Sequence, residues 1–257
     1  IAYHGHPLKG FTMQPLPELQ LSSQPLQAGH IHLCLLDVRQ FNTVLAEQAL
    51  LLMNDDERER AQKFIRGKEE YIASRWLLRK VLGQYLQQAP ESLVFNRSDK
   101  GKPYIANNPL KFNLSHSGHW ALLALAQDIE LGVDIEQIRD SRDLLGIAEN
   151  YYHPDEYTQL RQRHRDEQIR FFYQLWTLKE ALLKAMGVGI SAGLENLNFD
   201  LQSPISVRLA PALQAQSVTD KWQFHQWQLP DTGYCALAAA AANSPQTFWF
   251  NPFRALI

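Results

Sequence analysis

The chain has 257 residues and is 45% hydrophobic, enough apolar mass for one large domain or two packed smaller ones. Its formal net charge of -2 gives no global basic field to favour nucleic acid, and no apolar run approaches the ~18 residues of a membrane-spanning helix. Cys34 and Cys235 stand far apart in apolar runs and Ile1–Pro7 lacks the pattern of a secretory leader, so buried thiols in a cytoplasmic protein are expected, without a disulfide framework.

In chain order, residues 1 to about 29 carry Pro7, Pro15, Pro17 and Pro25, which block long regular elements and predict an extended arm packed on the body. A strand over Ile31–Val38 and a helix over Thr43–Leu52 follow. Asn54 or Asp55 then caps a helix running to Phe64. Glu69–Leu86 has helical spacing of Tyr71, Arg75, Leu78 and Leu82. Pro90 starts a turn, Leu93–Phe95 a strand, and Asn96–Pro103 is turn-rich. Lys111–Gly118 lies between strands and leads into a strand over Trp120–Ala126, with a turn at Asp128.

From there the order begins again: a strand over Glu130–Ile135, helices after Asp143 and after Pro154, and the long helix Ile169–Met186. Strands near Leu197–Asp200, Ser206–Leu209, Trp222–Gln228 and Tyr234–Ala240 close the chain. Tyr71–Lys80 corresponds in order to Tyr173–Glu180, and Gly118–Ala124 echoes Gly233–Ala239, which reads as an internal duplication. The expected class is α+β: two similar lobes, residues 1–128 and 129–257, related by a pseudo-two-fold axis. Each lobe is an antiparallel sheet packed with helices, and a ligand cleft lies between them.

Two acidic clusters carry the chemistry. Gly132–Glu136 alternates apolar residues with carboxylates, so a strand there projects Asp134 and Glu136 from one face. Trp176–Lys184 reads as a helix with Glu180 and Lys184 one turn apart. Taken alone, a Glu–Lys pair at that spacing is an ordinary solvated ion pair. Carboxylates inside the apolar stretch Leu131–Ile138 are different, because burial demands a metal, a cation or water beside them. Three carboxylates and a lysine suit a divalent cation gripping phosphate oxygens.

The first half supplies cations. Arg97, Lys100 and Lys102 surround Gly101 ahead of Pro103, in a turn where backbone N–H groups can approach an anion; a solvated basic hairpin is the plain alternative. Asn113, Ser115 and His116 add an amide, a hydroxyl and an imidazole. Arg60, Lys63 and Arg75 sit on helices, where an exposed face is the ordinary outcome. No nucleophile elbow surrounds Ser115, and neither a P-loop nor a dinucleotide fingerprint is present.

In order and separation, Lys-Gly-Lys-Pro at 100–103, Phe-Asn-Leu-Ser-His-Ser-Gly at 112–118, Gly-Val-Asp-Ile-Glu at 132–136 and Trp-Thr-Leu-Lys-Glu-Ala-Leu-Leu-Lys at 176–184 resemble the Sfp-type 4′-phosphopantetheinyl transferases. The match runs from Asp56 to Gly189. The resemblance implies Mg²⁺-dependent transfer of phosphopantetheine from coenzyme A to a serine of an apo acyl or peptidyl carrier protein, by a monomer. By position it assigns Asp134, Glu136 and Glu180 to Mg²⁺, with Asp134, Glu180 and Lys184 as the catalytic set and Lys184 on the phosphates. It assigns Arg60, Arg75, Arg97, Lys100, Gly101, Lys102, Pro103, Asn113, Ser115 and His116 to coenzyme A, with His116 and Arg60 near its 3′-phosphate. Glu57 stands where some relatives place another phosphate-binding lysine. Tyr151–Arg165, aromatic and then basic, is the region that borders the carrier face in that family. A non-catalytic coenzyme A or carrier-protein binding module, which would be expected to lose the metal carboxylates, is the alternative. A nucleic-acid binder is the third, resting only on the Arg and Lys clusters.

Overall fold

The computed structural model describes residues 14–17, 25–229 and 233–255. Most of the proline-rich arm therefore lies outside the described residues. Of the remainder, Gln14–Pro15 forms a two-residue strand, β1. Then come β2 (His30–Asp37), α1 (Thr43–Leu52), α2 (Asp55–Gln62) and α3 (Lys68–Leu86). Asn54 is the cap of α2, in a reciprocal capping box with Glu57. The short β3 (Asn96–Arg97) and β4 (Pro103–Tyr104) precede the long strands β5 (Leu110–Ser117) and β6 (Trp120–Gln127).

The second half begins with β7 (Leu131–Gln137), followed by α4 (Leu144–Tyr151), α5 (Pro154–Arg161) and α6 (Arg165–Met186), where Gly187 ends the helix in a left-handed conformation. A small hairpin, β8 (Leu197–Asp200) and β9 (Ser206–Leu209), and the one-turn α7 (Pro211–Gln214) lead to β10 (Trp222–Leu229) and β11 (Gly233–Ala240). The described chain closes with β12 (Gln246–Phe250) and α8 (Pro252–Ala255).

The result is a mixed α+β fold with two four-stranded sheets, ordered β12-β2-β6-β5 and β1-β10-β11-β7. In both, the first long strand of its half pairs with the last, and the last pairs with the middle one: β2-β6-β5 and β7-β11-β10, all antiparallel. The short end strands cross over. β12 pairs in parallel with β2 at the start of the chain, and β1 with β10 near its end.

Period-two alternation explains the layering. Ile31, Leu33 and Leu35 of β2, Leu122, Ala124 and Ala126 of β6, Leu131, Val133 and Ile135 of β7 and Cys235, Leu237 and Ala239 of β11 share one apolar core between the sheets. The alternate residues face the helices: Cys34, Leu36, Leu123 and Leu125 meet α3, while Ala236 and Ala238 meet α6. Strands buried on both faces read as continuous apolar runs. Both cysteines are free and buried, and no helix among the described residues is long and apolar enough to cross a membrane.

The strand β12 lies beyond the last strand expected from the sequence, and two of the expected segments differ. Leu93–Phe95 is not a strand, because Pro90 opens a 3₁₀ turn and the carbonyls of Pro90 and Leu93 are taken by the Arg79 guanidinium at 2.9 and 3.2 Å. Residues 110–117 form a full strand whose alternation was hidden, since its polar positions are buried against β7 and not exposed to water.

One buried group sets a pH limit on this fold. His32 is fully buried against the rings of Tyr85, Phe248 and Phe250, with Nδ1 2.5 Å from the Tyr85 hydroxyl. Burial first, then the charge of His30, lowers its pKa to about 4. The unfolded imidazole takes a proton near pH 6.5 and the folded one does not until about pH 4, so stability present above pH 6.5 is lost as pH falls through that window. Denaturant unfolding is expected to show about 3 kcal/mol more loss between pH 7 and 4 in the native chain than in His32→Gln, which keeps an acceptor for Tyr85.

Candidate active site

The two sheets meet along β5 and β7, and they are joined there by side chains. Asn113, Ser115 and Ser117 alternate on one face of β5. Asn113 Oδ1 accepts the Val133 N–H at 2.9 Å, and Ser117 Oγ accepts the Gln137 N–H at 3.2 Å. Donors of an edge strand that would otherwise be buried unpaired are thus satisfied by the other half of the chain. Between these two bonds, Ser115 Oγ donates to Asp134 Oδ1 at 2.8 Å.

Asp134 is the centre of the arrangement. Lys184, from the last turn of α6, places Nζ 2.6 Å from the same Oδ1 and 3.0 Å from Ser115 Oγ. The second oxygen, Oδ2, is buried without a hydrogen-bond partner. Glu136, two residues along and on the same face, takes a hydrogen bond from Ser117 Oγ to Oε2 at 3.1 Å. Glu180 is buried on α6, one turn before Lys184. Its pKa is pushed up to about 7 by burial first, then by the charge of Asp134, with Lys184 pulling the other way and Glu136 adding to the rise. Glu136 is raised too, by burial and then by Asp134.

These carboxylates therefore sit in a field of their own making, with more negative charge than Lys184 offsets. Among the described residues, no three His, Cys, Asp or Glu side chains form a ready-made cation cage. The donor set nonetheless fits a hard divalent cation: all oxygen, mutually repelling, with one buried oxygen lacking any partner.

A second charged group lies on the first half. Tyr71 is flanked by the Arg75 and Arg60 guanidiniums, 5.4 and 5.7 Å from its ring centre, and Arg97 also acts on its hydroxyl. The Arg75 pKa is lowered by burial, with Tyr71 and Glu57 opposing and Arg97 and Arg60 adding to the fall; its Nε has no partner. His116 connects the two regions: partial desolvation, then Arg75 and Lys184, lower its imidazole pKa, against a smaller pull from Glu70. Three guanidiniums and Lys184, with the His116 imidazole between them, thus put positive charge and N–H donors on this side of the site. Glu57 does not join it, being turned inward to the buried Arg79 at 2.7 Å.

The Arg97–Pro103 turn is more self-contained than its composition suggests. The N–H groups of Ser98, Gly101 and Lys102 are spent within it, and Arg97 bonds the Gly101 carbonyl at 3.1 Å. Lys102 reaches Glu130 at 3.2 Å and the carbonyls of Leu131 and Ala185 at 3.3 and 2.8 Å, fastening the turn to β7 and the end of α6. Lys100 is exposed. A cavity of about 330 Å³ opens beside the turn, lined by Lys102, Pro103, Phe112 and Met186. In the aromatic and basic segment 151–165, Tyr151 is exposed edge-on to Trp176, whereas Tyr152, Glu156 and Leu160 are buried. Arg161 and Arg163 stack on Tyr157 and Phe171.

Comparison with known proteins decides the ancestry. The profile of the 4′-phosphopantetheinyl transferase superfamily matches residues 130–239, and that of the 4′-phosphopantetheinyl transferase N-terminal region matches residues 43–128. The 4′-phosphopantetheinyl transferase HetI of a Nostoc species is 32% identical over 232 residues, 87% of this chain and 93% of the relative. The chain belongs to the 4′-phosphopantetheinyl transferase superfamily.

The transferase ffp of Bacillus subtilis is 30% identical, over 82% of this chain and 92% of its own. The transferase Sfp of Bacillus subtilis strain 168 is also 30% identical, over 60% and 69%. A solved holo-[acyl-carrier-protein] synthase of Thermotoga maritima covers 43% of this chain and 61% of its own at 18% identity, with a TM-score of 0.35, too slight a likeness to inform the fold. The relatives are enzymes, and this transferase is one by descent.

Four residues near the site escaped sequence reasoning. Ser117 was legible in principle, as the third polar residue at alternate positions of β5. Arg142, in the loop after β7, gave no periodic signal. Lys179 lies in the motif beside Glu180, yet it is fully buried against Glu156 at 2.7 Å and the Leu194 carbonyl at 2.9 Å, tying α6 to α5. Gly132 owes its place to close packing. A Cβ there would stand 2.1 Å from the Ala181 carbonyl oxygen and 2.3 Å from the Ala185 nitrogen, so only glycine lets α6 lie this near β7. Gly132→Ala is accordingly expected to lower stability by about 1–3 kcal/mol or more in denaturant unfolding and to move Glu180 and Lys184 away from Asp134.

Proposed function

We propose that the chain transfers the 4′-phosphopantetheine group of coenzyme A to a serine of an apo acyl or peptidyl carrier protein. The observation that carries this reading is the environment of Asp134: one oxygen held by Ser115 and Lys184, the other buried and unpartnered, beside a Glu180 whose pKa lies at about 7. The coenzyme carries a pyrophosphate and a 3′-phosphate on one extended molecule. The track of Arg60, Arg75, Arg97, His116 and Lys184 suits that spread of charge, with the pyrophosphate at Lys184 and the nucleotide end near Tyr71.

In the reaction as proposed, the carrier serine oxygen attacks the phosphorus that bears the pantetheine arm. The bond from that phosphorus to the bridging oxygen breaks, and 3′,5′-ADP departs. Glu180 takes the serine proton directly or through water. Lys184 steadies the phosphate oxygens, and Ser115 holds Asp134 in orientation. Mg²⁺ bound by Asp134, Glu136 and Glu180 would neutralise the pyrophosphate and stabilise the charge arising on the leaving oxygen. Lys100, Gly101, Lys102 and Pro103 would border the nucleotide, with the Lys102 ammonium serving to fix the turn. Asn113 contributes by holding β5 to β7.

The same reading takes residues 1–128 and 129–257 as two related lobes about a pseudo-two-fold axis with the cleft at their junction; the shared strand order supports it. The same reading takes the protein as a monomer, which both sides of the site coming from one chain supports. The buried, free cysteines accord with a cytoplasmic setting, and the exposed Tyr151 with a carrier-facing surface.

Intact mass of an apo carrier protein incubated with this protein, coenzyme A and Mg²⁺ tests the proposal. A gain of one phosphopantetheine, abolished by EDTA, is expected; no gain on several carrier types despite coenzyme A binding would favour a binding module. In the same assay Glu180→Gln is expected to lose at least about a hundredfold in rate. Its melting temperature should be unchanged or higher, because a raised carboxylate pKa means the ionised form is disfavoured in the fold.

A further inference from the structure

The loop between β7 and α4 brings another cation to the carboxylates. The Arg142 guanidinium lies 5.1 Å from the ring centre of Trp176, 5.6 Å from Tyr173 and 5.8 Å from Phe172, all on α6. It ends 3.5 Å from Glu136 Oε2. The loop is fixed at both ends. Arg139 N–H donates to the Tyr173 hydroxyl at 3.0 Å, Arg142 N–H to the Arg139 carbonyl at 3.1 Å, and Asp143 caps α4 by accepting from Gly146 N–H at 3.0 Å.

Both partners of Glu136 use the same oxygen. Ser117 and Arg142 approach Oε2, and no hydrogen bond or ion pair is made to Oε1 among the described residues. Asp134 is divided in the same way, with Oδ1 held by Ser115 and Lys184 and Oδ2 unpartnered. Each strand carboxylate thus has one tethered oxygen and one that is not.

We infer that Arg142 is a positioning residue for the reaction: by pinning Glu136 through Oε2, it presents Oε1 beside Asp134 as a ligand oxygen for the divalent cation. This rests on the cation reading proposed for the site. A solvated ion pair of this length would do little. Here the side chain is only 22% exposed and rests against three aromatic rings, which hold the charge in place whether or not a cation is bound. A planar guanidinium suits such stacking and a lysine does not.

Mn²⁺ binding to the full chain, followed by electron paramagnetic resonance in the presence of coenzyme A, tests this apart from activity. Arg142→Met is expected to weaken Mn²⁺ about ten- to a hundredfold, as loss of a residue orienting a metal ligand does. In steady state it should lower kcat with little change in KM for coenzyme A. Arg142→Lys, which keeps the charge and loses the planar fit, is expected to fall between the two. Should Arg142→Met not fold, weakened binding by Arg142→Lys carries the test. Binding equal to or tighter than that of the native chain in either folded variant overturns the inference, since a mere counter-charge would compete with the cation. A native chain that takes up no Mn²⁺ overturns the cation reading itself.

Discussion

Everything in this structure that bears on chemistry depends on an excess of negative charge held at a seam. Asp134, Glu136 and Glu180 are brought together where water is largely excluded, and Lys184 and Arg142 offset them only in part. Burying a carboxylate is unfavourable and like charge beside it adds to the cost; the rise of Glu180 toward neutral pH reflects burial first and the neighbouring Asp134 second. Nothing in the apolar core requires such an arrangement. A fold that keeps it carries a local instability that a bound divalent cation would relieve.

The seam is built to hold that charge in register. β5 and β7 belong to different sheets, and polar side chains replace the backbone ladder between them: Asn113 and Ser117 satisfy β7 donors, and Ser115 orients Asp134. Gly132 lets α6 settle against β7 so that Glu180 and Lys184 arrive at the right height. The buried Lys179–Glu156 pair ties α6 to α5 on the far side. The Lys102 ammonium, bonded to Glu130 and to the α6 end, closes the seam from the first half.

Much of this was legible in the residues, and the losses have physical causes. Asp134 and Glu136 were readable because two carboxylates at alternate positions of an apolar strand need an explanation, and Glu180 with Lys184 because helical spacing is regular. The helices and most strands were readable from periodicity, as the match at Thr43–Leu52 and Trp120–Gln127 shows. The strand character of residues 110–117 was obscured because Asn113, Ser115 and Ser117 are polar and buried, which inverts the usual pattern. β12 left no local mark, since it is defined by its pairing with β2, some two hundred residues earlier in the chain. Arg142 sits in a loop, where no period exists to place a side chain. Lys179 and Lys184 look alike in sequence, yet only their depth in the fold separates an interior staple from a site cation.

In the function proposed here, these three carboxylates form one cation site together with the substrate pyrophosphate. Anomalous diffraction from crystals grown with Mn²⁺ and coenzyme A tests it most directly. A single strong peak among Asp134, Glu136 and Glu180, in contact with the pyrophosphate, is expected. Bound coenzyme A with no peak there, or with the metal held by other residues, would contradict it.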